Sequence, residues 1–223
     1  QIEIQPIQYT KKQILADRVA FDPAVVDAVR THAAKHQMPR EVAQSLATTY
    51  AKEIVPSFNA YLYFRFGEWL TRRVSRFLYR VRLNTAEDAG LDHVNPDTSV
   101  VFVMNHRSNV DYMLVTYLVA NQTALSYAAG EWARFWPLHQ LLRGLGAFFV
   151  RRNSSDPLYR KVLERYVQMA TDEGVCQAVF LEGGLSRDGR LRTPKIGFLD
   201  YMMRAYDPDA ERDIVFIPIG INY

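Results

Sequence analysis

In the second half of the chain the apolar residues fall into short, unbroken runs. Ser99-Val-Val-Phe-Val-Met104 is rich in β-branched residues and shows no alternation, as expected of a strand buried on both faces. Similar runs recur at 125–129, 146–150, 176–181 and 214–219. Helical patterns over 109–120, 156–171 and 195–205 lie between them. This β-α-β-α rhythm predicts a layered α/β fold, with a largely parallel sheet flanked by helices. There is no internal repeat or low-complexity tract.

The first half reads differently. Residues 11–55 are Ala-rich; Asp22-Pro23 opens a helix through Ala34, and another follows Pro39-Arg40-Glu41 to Ile54 before Pro56 interrupts it. A small N-terminal helical segment over 1–57 is therefore expected. From 61 to 83, Leu62, Phe66, Trp69, Leu70, Val74, Phe77, Leu78 and Val81 recur at helical spacing beside Arg65, Arg72 and Arg76, with Arg73 and Arg80 at the margin. Six arginines against one glutamate suit an interfacial helix on an anionic lipid surface, with Trp69, Arg72, Arg73 and Arg76 as its contacts. The same stripe also fits simple packing onto the α/β domain with the arginines solvated. The expected organisation is thus 1–57 helical segment, 58–90 amphipathic helix and linker, and 91–223 α/β domain.

Composition narrows the classes. A hydrophobic fraction of 48% with 23% charged residues in 223 residues is enough to bury a sizeable core, which excludes a disordered chain. A net charge of +3, with no recognised binding motif beside the basic stretch, argues against nucleic acid. Cys176 is the only cysteine, so an internal disulfide and a thiol–metal site are excluded and a reducing compartment fits. No run of ~18 apolar residues is present and Gln1 does not open a signal peptide, so membrane contact is expected to be peripheral. The missing initiator Met and the end at Tyr223, just after a strand-like run, read as a fragment truncated at the C-terminal end of its domain.

Three polar segments follow predicted strands, where open α/β sheets bind ligands. Asn105-His106-Arg107-Ser108-Asn109-Val110-Asp111 follows the first. A His can take a proton from an alcohol, and a carboxylate can fix its tautomer and stabilise the imidazolium. Five residues of helix would turn the two side chains ~140° apart, so they meet only if His106 lies in the turn ahead of the helix. Alone, the segment fits equally a His capping a helix and a separate solvated Asp. Gly146-Ala-Phe-Phe-Val-Arg151-Arg152 adds two guanidiniums shaped for phosphate or carboxylate, a pair that elsewhere mostly forms surface salt bridges. Phe180-Leu-Glu182-Gly183-Gly184-Leu-Ser186-Arg187-Asp188-Gly189-Arg190 adds a glycine-rich turn, with Arg187, Arg190 and Lys195 as cations near a candidate anion site. Gly184-Leu-Ser186-Arg-Asp188 lacks the closing Gly of a nucleophile elbow, which removes a serine-hydrolase reading. Gly144-Leu-Gly146 is too short for a dinucleotide fingerprint.

In order and spacing these segments, with Ile214-Val-Phe-Ile-Pro218-Ile-Gly-Ile-Asn-Tyr223, resemble the four motifs of the glycerolipid acyltransferase superfamily. The likeness spans about 99–223 and is nearest to the bacterial membrane glycerol-3-phosphate acyltransferases, through His106 to Tyr112 and Phe180 to Leu191. Lysophosphatidate acyltransferases usually have Pro and Thr where Leu181 and Gly184 stand. One departure is Leu185, where the glycerol-3-phosphate enzymes often have Arg, which leaves part of the phosphate contact unaccounted for. The resemblance implies acyl transfer from acyl-CoA or acyl-carrier protein to the sn-1 hydroxyl of glycerol 3-phosphate, at the cytoplasmic face of the inner membrane, without metal or cofactor. It implies His106 as general base and Asp111 as its orienting partner. Arg151, Arg152, Glu182, Gly183, Ser186 and Arg187, joined by Lys195, become the glycerol-phosphate site, and Pro218 contacts the acyl donor. Another phosphate-bearing acceptor, lysophosphatidate or dihydroxyacetone phosphate, and a non-catalytic membrane-surface domain remain as alternatives.

Overall fold

A computed structural model describes residues 10–63, 69, 73, 95, 97–108, 111, 115, 125–129, 138–151, 154–186, 190–204, 206–209 and 212–222. Three helices come first: α1 (Lys12–Ala20), α2 (Pro23–His36) and α3 (Arg40–Ile54). There follow β1 (Ser99–Met104), β2 (Ser126–Ala129), α4 (Leu138–Gly144), β3 (Ala147–Phe149), α5 (Pro157–Asp172), β4 (Gln177–Phe180), α6 (Gly197–Met203) and β5 (Ile214–Ile219). The strands form one sheet in the order β3-β2-β4-β1-β5, and every described pairing is parallel. The layered α/β architecture with N-terminal helices is the one expected, and the sheet is wholly rather than largely parallel over the described strands.

The helix ends follow from local chemistry. Asp22 accepts the Ala24 N–H at 3.0 Å with Pro23 in the first turn, and Asp156 does the same for Leu158 at 2.9 Å ahead of Pro157. Each carboxylate satisfies a donor that the first turn leaves without a helical partner. α2 stops where Gln37 takes a left-handed φ of 51°, which lets the Met38 N–H reach the Ala33 carbonyl at 3.1 Å. α1 and α4 were not expected. α1 has no side-chain cap, and α4 is only 7 residues long.

Unbroken apolar strands make sense here because the sheet is covered on both sides. Along β1, Val101 belongs to one core cluster and Phe102 and Met104 to another; along β3, Phe148 and Phe149 divide the same way. A strand with a period of two sends alternate side chains to opposite faces. The first cluster takes in buried residues of α1, α2, α3 and α5, so the N-terminal helices share a core with the sheet. α5 supplies its stripe through Leu158, Tyr159, Val162, Leu163, Tyr166, Val167 and Ala170, at helical spacing.

Two arginines that flank β3 fasten the C-terminal end of α3. The Arg143 guanidinium donates to the Glu53 carbonyl, where the last turn leaves acceptors open. Arg151 grips the Glu53 carboxylate with two nitrogens, Nε at 3.0 Å and a terminal nitrogen at 2.5 Å, while its guanidinium lies 5.0 and 5.1 Å from the Tyr50 and Tyr159 ring centres. That pairing holds the Arg151 pKa well above its ordinary value. We expect Glu53→Gln and Arg151→Gln each to lower the unfolding free energy by about 1 kcal/mol, and the double substitution to cost no more than the larger single one. Thermal unfolding of the four proteins tests this; fully additive losses would show that the pair does not act as a unit.

Candidate active site

β1 and β4 are hydrogen-bonded neighbours, so the loops leaving Met104 and Phe180 emerge about 5 Å apart at the carboxyl edge of the sheet. His106 lies in the non-helical stretch 105–108, and Asp111 is already helical. The turn therefore comes where the spacing argument required it. The His106 Nδ1–H donates to Asp111 Oδ2 at 3.0 Å, and the same oxygen accepts the backbone N–H of Arg107 at 2.6 Å and of Ser108 at 2.8 Å. The Asp111 side chain is fully buried, and these donors replace the water it has lost. A carboxylate only accepts, so the proton sits on Nδ1 and Nε2 keeps its lone pair. The ring stacks on Phe180 with centres 4.1 Å apart and is 15% exposed, protected yet reachable.

The third segment wraps the base from the other side. Glu182, 6% exposed, accepts the His106 N–H on Oε1 at 3.2 Å and the Arg192 N–H on Oε2 at 3.3 Å. The Ser186 N–H donates to the His106 carbonyl at 2.9 Å, and the Ser186 hydroxyl donates to the Arg190 carbonyl at 2.6 Å. Gly183 has φ +60°, and a Cβ there would sit 2.9 Å from Lys195 Cδ, so the close approach of the lysine needs glycine. Glu182, Gly183, Gly184, Leu191, Arg192, Thr193 and Lys195 line an open cavity of about 560 Å³. Arg192 and Thr193 were not singled out in the sequence. Only their place after a glycine turn hinted at them.

The remaining expected residues fall elsewhere. Arg151 follows β3, three strands from β1, which is about 14 Å along the sheet edge, and its guanidinium is bound to Glu53. The structure does not bring it to the dyad. Pro218 lies opposite Val103 on β5, at the edge of the described sheet, where a residue without N–H is tolerated. Beyond β5, the Asn105 side chain donates to the Ile221 carbonyl at 2.9 Å and accepts its N–H at 2.7 Å, so it extends the β1–β5 ladder as a surrogate backbone. Arg152, Arg187, Arg72 and Arg76 lie outside the described residues, and Trp69 and Arg73 are exposed. Burial pushes the Cys176 thiol up to about 12, which removes it as a nucleophile. Among the described residues no three or more His, Cys, Asp or Glu side chains converge as a metal ligand set, and no helix is long and apolar enough to cross a membrane.

Comparison with known proteins agrees with the resemblance at the level of the family. A sequence model of the Acyltransferase family matches residues 86–222, more than half of the chain. The glycerol-3-phosphate acyltransferase of Aeromonas hydrophila is 32% identical over 219 residues, covering 95% of this chain and 26% of the relative. The enzyme of the same name from Pseudomonas aeruginosa is 33% identical over 205 residues, covering 90% and 24%, and that from Alteromonas mediterranea 30% over 217, covering 96% and 26%. The chain spans about a quarter of the length of these curated relatives.

The dyad geometry makes a sharp demand on Asp111. In Asp111→Asn an amide oxygen in the place of Oδ2 can still accept all three N–H groups, but it carries no negative charge to stabilise an imidazolium. We expect any reaction that uses His106 as a base to slow by about 10³-fold or more, with the circular dichroism spectrum unchanged. A rate within about tenfold of the unaltered chain would show that the charge on Asp111 does not assist the base.

Proposed function

Because the chain belongs to the acyltransferase family, we propose that it carries the active centre of a glycerol-3-phosphate acyltransferase. The reaction moves a fatty acyl group from acyl-CoA or acyl-carrier protein to the sn-1 hydroxyl of glycerol 3-phosphate. The observation behind this reading is the buried Asp111 carboxylate on His106 Nδ1, which leaves Nε2 as an available base.

The steps follow from ordinary chemistry. An alcohol with a pKa far above neutral attacks a thioester poorly unless its proton is removed as the bond forms. His106 Nε2 takes that proton while the hydroxyl oxygen adds to the thioester carbonyl, and Asp111 stabilises the imidazolium. The tetrahedral intermediate collapses with loss of the thiolate, which receives the proton from Nε2. A thiolate is a good leaving group, so no covalent acyl-enzyme is needed, in keeping with the buried, unreactive Cys176. The acceptor phosphate fits the open cavity beside Gly183 and Gly184, where Arg192 and Lys195 supply positive charge and the glycine turn lets backbone N–H groups come close. Arg152 and Arg187 join it by resemblance. Arg151 would have to exchange Glu53 for the phosphate to do so, and Pro218 keeps its proposed role at the acyl donor.

The proposed setting is peripheral, on the cytoplasmic face of the inner membrane, where a product with an acyl chain can pass into the bilayer. The exposed Trp69 and Arg73 support contact with an anionic surface.

Thiol release from palmitoyl-CoA, measured with glycerol 3-phosphate, lysophosphatidate and dihydroxyacetone phosphate in turn, tests the activity. Glycerol 3-phosphate should be the preferred acceptor, and His106→Ala should lower the rate by about 10²-fold to 10⁴-fold. Undiminished release in that variant would sink the mechanism, and preference for another acceptor would replace the substrate. Flotation with liposomes tests the setting: binding should need anionic lipid and weaken by roughly fivefold for each of Arg72, Arg73 and Arg76 neutralised. Equal binding to neutral vesicles would remove the electrostatic part of the proposal.

A further inference from the structure

Glu182 stands in a motif whose resemblance assigns it to the acceptor, yet its surroundings describe a different task. The residue is 6% exposed, and each carboxylate oxygen already accepts a backbone N–H: Oε1 from His106 at 3.2 Å and Oε2 from Arg192 at 3.3 Å. A buried carboxylate is stable only when donors replace its hydration, and here those donors are main-chain groups of two different loops. The second backbone group of His106 is held as well, because its carbonyl accepts the Ser186 N–H at 2.9 Å. Both polar main-chain groups of one residue are thus fixed by the loop that leaves the neighbouring strand. The ring of that residue rests on Phe180, the last residue of β4. One position earlier, the Asn105 side chain is held in two directions by Ile221.

We propose that Glu182 is a positioning residue for His106 and does not bind the acceptor. It holds the main chain of the base, while Asp111 holds its ring. Two carboxylates thereby fix one imidazole, one through the backbone and one through Nδ1. The Arg192 bond adds a consequence: the arm that carries Arg192, Thr193 and Lys195 along the cavity is tied to the same carboxylate, and to the Leu181 carbonyl through the Lys195 N–H at 2.6 Å, so the base and the cavity wall share one side-chain anchor. The proposal rests on the reading of His106 as the base.

Glu182→Gln separates the two roles. An amide offers one acceptor oxygen and one NH2, so it can satisfy one of the two N–H groups and must turn a donor toward the other. A misplaced base slows the chemical step without altering the acceptor contacts. The expected result is a kcat lower by about 10²-fold, with the KM for glycerol 3-phosphate within about threefold of the unaltered chain. A KM raised more than about tenfold, whatever happens to kcat, would make Glu182 an acceptor ligand and overturn the proposal, as would an unchanged kcat. Should the variant fail to fold, amide hydrogen exchange in the unaltered 223-residue chain decides the matter. The His106 and Arg192 amides should exchange slowly without any substrate, and free exchange at both would refute the clamp. Full activity in His106→Ala would instead sink the base assignment, whatever Glu182→Gln did, so the two failures can be told apart.

Discussion

The site depends on one requirement: the Asp111 carboxylate is fully buried and must be given donors. Water cannot reach it, so the chain folds around it, and Arg107 and Ser108 turn their N–H groups inward onto Oδ2. That turn puts His106 ahead of the helix, where its Nδ1–H completes the set. A feature that looks catalytic is therefore also a condition for folding the loop. Removing the negative charge disturbs both at once, because an uncompensated buried polar group is costly.

The sheet order decides which loops can cooperate. With β4 beside β1 and β5 on its other side, the segments after β1, β4 and β5 meet around residues 105 and 106, although the latter two lie more than 70 positions from the first in the chain. β3 lies at the opposite end of the sheet, and its flanking arginines turn to the N-terminal helices. The sheet thus carries the His106–Asp111 pair near β1 and the contacts to the N-terminal helices near β3. The shared apolar cluster that joins α1, α2 and α3 to α5 makes that docking part of the core.

Much of this was legible before the structure. β1 and β5 have the bounds expected of them, because each is an unbroken apolar run with no polar residue inside to blur its ends. α5 begins at Pro157, one residue after the expected start, since Asp156 is its cap. The dyad was half legible, as spacing demanded a turn and the turn is present. What escaped depends on contacts far apart in sequence or on backbone atoms. The pairing of Arg151 with Glu53 was not legible because the two lie 98 positions apart. That both oxygens of Glu182 accept main-chain N–H groups was hidden as well, since residue identities do not show it.

The stacking of His106 on Phe180 carries an implication for which hydroxyl reacts. One face of the imidazole is covered by an aromatic ring and one edge is held by a carboxylate, so the Nε2 lone pair points in a single direction. An acceptor anchored at a second point offers that lone pair only the hydroxyl at the matching distance. With His106 as the proposed base, selection between two alcohols at different distances from the anchor then follows from the fixed aim of Nε2.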